Sequence, residues 1–111
     1  MISEELLSEV LELTSGNVFI KEIETRNNDI EYLCNVGGWT LLNIYELANK
    51  CKEWAINYSG WTLQSYTNER GSGICRIKVG DGQEINKLIT SSEPEAIFKA
   101  CEWIMENKCG S

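Results

Sequence analysis

From Leu41 to Tyr58 the apolar residues recur at helical spacing, and at Trp61 the period drops to two and stays there as far as Ile89. Leu41, Ile44, Leu47, Ala48, Cys51, Trp54, Ala55 and Tyr58 follow the i, i+3, i+4, i+7 rule, and Gly60 supplies a stop. Trp61–Ser65, Ile74–Val79 and Glu84–Ile89 then read as three strands, joined by the turn clusters Asn68–Gly73 and Gly80–Gly82. Ser92-Glu93-Pro94-Glu95 has the form of a helix start: a cap, a proline in the first turn and a glutamate three residues after the cap. This predicts a final helix to about Lys108, with Ile97, Ala100, Cys101, Ile104 and Met105 facing inward.

The first half is shorter in its elements. Ser3 can cap a helix over 3–14, in which Ile2, Leu6, Leu7, Val10, Leu11 and Leu13 form the apolar set and Glu5, Glu9 and Glu12 lie on another side. Ser15-Gly16-Asn17 stops it. Val18 to Thr25 reads as a strand with apolar residues on both faces, Val18 and Ile20 on one, Phe19 and Ile23 on the other, so it asks for cover on two sides. The turn cluster Arg26-Asn27-Asn28-Asp29 leads into an alternating run with Ile30, Tyr32, Cys34 and Val36 on one side, which makes a hairpin. Gly37-Gly38 ends that strand and leaves Trp39 in a loop, where it is expected to be exposed. The order αββαβββα predicts an α+β fold, a single sheet with helices packed on it, in one domain over residues 1–109. Gly110-Ser111 matches a cloning remnant and is left out of functional reasoning.

At 111 residues with 42% hydrophobic side chains, four Trp, four Tyr and one Pro, the chain has the composition of a folded globule. Seventeen acids against ten bases give a net charge of −7 and a pI near 4.6, which argues against direct nucleic-acid binding. Residues 1–16 carry Glu4, Glu5, Glu9 and Glu12 with no base, so the first helix is the acidic end. Five cysteines, at 34, 51, 75, 101 and 109, form no Cys-x-x-Cys pair and read as free, mostly buried thiols of a reducing compartment. Neither a signal-peptide pattern nor a membrane-length apolar run is present, so a cytoplasmic location is expected.

The chain has no histidine, which removes Ser-His-Asp and Cys-His nucleophile pairs and every histidine-containing metal site. Widely spaced cysteines make a poor zinc ligand set, and Cys101 with Cys109 reads as a core thiol and a terminal one. The glutamates at 5, 9 and 12, and at 95, 102 and 106, fall on the solvent sides of helices. Gly71-Ser72-Gly73 lacks the Gly-Lys-Ser/Thr ending of a phosphate-binding loop. Trp54, Tyr58 and Trp61 cluster at a helix-to-strand junction, where packing against the sheet is the expected role and a stacking platform or a partner anchor the alternative. No catalytic, cofactor or metal site is expected.

A helix rich in Ala and Trp from Ile44 to Trp54, Trp61 opening the next strand, and the ending Pro94-Glu95-Ala96-Ile97-Phe98-Lys99-Ala100 make residues 39–107 resemble the phage ABA sandwich domain of small bacteriophage and prophage proteins. Before residue 40 the chain departs from that family, with Gly38-Trp39-Thr40 in place of a polar, proline-containing lead-in. The resemblance implies a three-layer α/β/α sandwich, which suits the two-sided apolarity of Val18–Ile23, and a phage or prophage origin. It implies no catalytic residues.

Together these readings point to a small acidic non-catalytic binding protein, a phage or prophage accessory factor that contacts a host or phage protein and inhibits a host defence protein. Its contact residues are expected to be Glu5, Glu9, Glu12 and Trp39, the acidic helix imitating nucleic acid toward a basic groove. The alternative is a structural or self-assembling phage protein, a homo-oligomer built through strand edges or the Trp39 region.

Overall fold

The computed structural model describes residues 2–12, 18–23, 29–34 and 38–108. Leu13, the expected stop Ser15-Gly16-Asn17, the turn residues Arg26–Asn28, Val36, Gly37 and Cys109 lie outside them. The element order is α1 (Glu4–Val10), β1 (Val18–Glu22), β2 (Asp29–Cys34), β3 (Gly38–Asn43), α2 (Ile44–Ser59), β4 (Thr62–Thr67), β5 (Gly73–Lys78), β6 (Glu84–Thr90) and α3 (Glu93–Lys108).

The expected caps are in place. Ser3 Oγ accepts from the Leu6 amide at 3.2 Å, and Ser92 Oγ from the Glu95 amide at 3.4 Å. Gly60 closes α2 in the left-handed conformation, φ 78°, its N–H donating to the Ile56 carbonyl at 2.9 Å. Helix α1 is shorter than its periodicity suggested: Leu11 caps it, and Glu12 turns left-handed at φ 56°.

Residues 38–43 form a strand and not the loop and first helical turn read from the sequence. Trp39, Thr40, Leu41 and Leu42 suit a pleated surface, and Asn43 stops the strand by capping α2, its Oδ1 accepting from the Tyr45 amide at 2.9 Å.

The α+β class is as expected, but the strands divide into two antiparallel sheets, β1-β2-β3 and β4-β5-β6, where a single sheet was anticipated. Helix α2 stands between the two sheets in the chain. Its 16 residues carry the chain roughly 24 Å between the end of β3 and the start of β4, and β4 then pairs with β5. The three helices touch one another, α3 lying over β4, β5 and β6, and α1 over β1. With a Cα envelope of 42 × 37 × 16 Å, the molecule has the depth of two layers about 10 Å apart.

One core runs through both halves, joining Ile2, Leu6 and Leu7 to Val18, Ile30, Leu47, Cys51, Ile77, Phe98 and Ile104. The inner sheet faces supply it. Cys75 and Ile77 face α3, and Val18 and Ile30 face the helices while Phe19, one residue along, is 54% exposed. Among the described residues the expected cover on both faces of β1 is therefore absent, because the helices occupy one side. Among the described residues, no helix is long and apolar enough to cross a membrane.

A candidate acidic groove beside a stacked aromatic pair

Burying Ile2, Leu6 and Leu7 turns Glu5 and Glu9 to the opposite side of α1, and Glu12 follows just past its end. Helix α2 buries Leu47, Ala48, Cys51 and Ala55, so Lys50, Glu53, Trp54, Asn57 and Tyr58, related by steps of three and four, make its other face. These two faces, with Met105 and Glu106 of α3, enclose an open groove of about 1140 Å³.

Five carboxylates (Glu5, Glu9, Glu12, Glu53, Glu106) line the groove with one ammonium, Lys50, a net of −4 from five negative and one positive charge. The chain as a whole carries −7, so more than half its excess sits at this site. None of the five forms an ion pair with another described residue. Glu5 and Glu9, one helical turn apart, destabilise α1 by a few tenths of a kcal/mol, roughly, as like charges at that spacing do. Trp54 and Tyr58 stack in the groove wall with ring centroids 4.8 Å apart and planes 15° off parallel. Such rings offer a π-face to a cation.

Glu12 also holds a conformation that side chains rarely adopt, at φ 56°. Glu12→Gly is expected to raise the free energy of unfolding by about 1 kcal/mol, because glycine enters that region without the Cβ clash. Urea titration of the two proteins checks this; no gain would mean that the turn after α1 is not held in this conformation.

The anticipated contact residues do not form one surface. Glu5, Glu9 and Glu12 line the groove, whereas Trp39, 53% exposed as expected, stands on the outer face of β1-β2-β3 beside Leu33, away from the helices. The aromatic cluster divides too. Trp54 and Tyr58 reach the groove, but Trp61 tilts against Trp103 at 5.9 Å and packs on the core. The roles of Lys50, Glu53, Asn57, Met105 and Glu106 were missed, although the first three follow from the polar stripe of α2.

Cys51, Cys75 and Cys101 are buried free thiols, and the Cys101 thiol donates to the Cys51 carbonyl at 3.5 Å. Burial pushes Cys75 up to about 12, and Cys101 is raised by its hydrogen bond with Cys51 and by burial, so neither supplies a thiolate near neutrality. Glu102 does more than face solvent: it accepts from the Ser3 amide at 3.0 Å and pairs with Lys99 at 3.8 Å, tying α1 to α3. Among the described residues, no three His, Cys, Asp or Glu side chains are grouped to hold a metal ion.

No protein-family model matches the chain, and comparison with curated proteins and with solved structures likewise gives no match.

Proposed function

We propose that the chain is a small acidic non-catalytic binding protein, a phage or prophage accessory factor that acts by seating a basic segment of a host or phage protein in the groove between α1, α2 and α3. The observation that carries this is the concentration of four net negative charges around the Trp54–Tyr58 stack. Acidic walls raise the local concentration of a cationic partner, and an aromatic pair holds an arginine or lysine once water is displaced. In this reading the acidic residues receive a protruding segment, where the mimicry anticipated from the sequence has them fill a partner's groove. A basic segment that holds nucleic acid in a host defence protein is a fitting target, and its capture amounts to inhibition.

The test is titration of a twelve-residue arginine-rich peptide into the protein, followed by tryptophan fluorescence and calorimetry, with a neutral peptide of equal length as control. The triple variant Glu5→Gln/Glu9→Gln/Glu12→Gln is expected to weaken binding by roughly 10-fold or more, at about 0.5 kcal/mol for each exposed charge. Trp54→Ala is expected to act similarly. Equal affinity of the triple variant and the parent for this peptide would remove the reading. The alternative, a structural or self-assembling phage protein, is favoured by a separate observation: the half-exposed Phe19, Trp39 and Leu41.

A further inference from the structure

The outer face of β1-β2-β3 is apolar at its centre. Strand register sets Phe19 beside Leu33 and Leu33 beside Trp39 in one row, and Lys21 beside Glu31 and Glu31 beside Leu41 in the next. Phe19, Trp39 and Leu41 are each more than half exposed, while Val18 and Ile30, which alternate with these rows, are buried under the helices. Adjacent large apolar side chains on an open sheet mark a contact surface more often than isolated ones do.

We propose that this face binds a second copy of the chain, sheet against sheet, about a two-fold axis running along the strands between β1 and β2. Such an axis lays β1 over the partner's β2. Phe19 then meets Leu33 of the partner subunit, and Lys21 meets Glu31 of the partner subunit, each contact occurring twice as a closed two-fold interface requires. Trp39, on the outlying β3, laps the margin of the partner's β1. Charge favours this occupant. Lys21 and Glu31 are cross-strand neighbours that lose water under any cover; an apolar surface leaves them only each other, whereas a second copy adds a further opposite charge to both. In these two rows the charges of Lys21 and Glu31 cancel, so no net charge there opposes a second copy. Three short strands form a footprint well below the roughly 800 Å² per partner of a tight complex, so the dimer is weak and depends on concentration. The proposal does not rest on the groove, which opens on the helical side and stays free in the dimer.

Sedimentation velocity over roughly 5 to 500 µM protein, spanning the range of weak self-association, reads the equilibrium directly. The parent is expected to pass from the 12.6 kDa monomer to a species of twice that mass. Phe19→Lys, at an exposed position, is expected to keep the fold and its circular dichroism and to weaken association by about 10-fold or more. Lys21→Glu and Glu31→Lys are each expected to weaken it by about 10-fold, and the double exchange Lys21→Glu/Glu31→Lys to restore it, because reversing both charges recreates the same pairs. A parent that stays monomeric throughout leaves the face to some other protein and overturns the proposal. So does a dimer indifferent to Phe19→Lys, and so does a double exchange that fails to recover what the single ones lose.

Discussion

Gly73→Ala is expected to lower the free energy of unfolding by about 3 kcal/mol, the upper end of what overpacking usually costs. Gly73 opens β5 between Thr67 and Thr90, beneath the turn that starts α3. A Cβ there would fall inside the Ser92 carbonyl group and against the Glu93 amide, both backbone. Ser92 cannot swing aside cheaply, because its carbonyl accepts from the Thr90 hydroxyl at 2.7 Å and from the Ala96 amide at 3.1 Å. The penalty is thus shared between lost hydrogen bonds and displacement of α3 from the sheet it covers. Gly80→Ala is the control: a Cβ at Gly80 meets nothing within 4 Å, so the change is expected to stay within about 0.5 kcal/mol. Urea unfolding of the two variants decides, and equal losses would show that α3 does not sit against β5 at this point.

Raising the pH from about 8.5 to 10 is expected to remove about 3 kcal/mol of stability through two buried thiols. In the unfolded chain cysteine ionises near pH 8.5, roughly. In the folded chain burial pushes Cys75 up to about 12, and Cys101 is raised by its hydrogen bond with Cys51 and by burial. Below the unfolded value both states hold their protons, and the thiols' contribution is fully present. Above it the unfolded chain binds fewer protons than the folded one, so stability falls by roughly 1 kcal/mol per pH unit for each thiol. Denaturant titrations under reducing conditions at both pH values measure the loss. Cys75→Ala/Cys101→Ala is expected to start from a lower stability and to lose about 3 kcal/mol less over the same interval. If parent and variant decline in parallel, the thiols are not held protonated by the core.

Local chemistry made much of this fold legible. Ser3, Ser92 and Gly60 stand at helix ends where their side chains or conformational freedom serve, and those positions are readable one residue at a time. Period-two alternation likewise marked β4, β5 and β6. Strand β3 was hidden because Leu41, Ile44 and Leu47 also satisfy helical spacing, and only the Asn43 cap shows which period governs residues 38–43. The division into two sheets was not readable, since strand pairing depends on where α2 delivers the chain. Glu5, Glu9 and Glu12 were recognisable as one side of a helix. That they form a wall was not, because the opposite wall comes from α2 and α3, about 40 and 100 residues further along, and helix docking brings the walls together. Trp54 and Tyr58 were read as packing because they continue the apolar spacing of α2; Trp54 does pack on the core, and its stack with Tyr58 also lines the groove.

Among the described residues every strand pairing joins neighbours in sequence: β1 with β2, β2 with β3, β4 with β5, β5 with β6. Each sheet can therefore form by closing short loops, whose entropy is small, and topologies of that kind reach their native state quickly. The long closure is the one at the termini, where the Ser3 amide meets the Glu102 carboxylate across 99 residues. Helix α1 rests on β1, α2 and α3 together, so the acidic groove, unlike the meanders, draws its walls from both ends of the chain and carries the largest closure entropy of the fold.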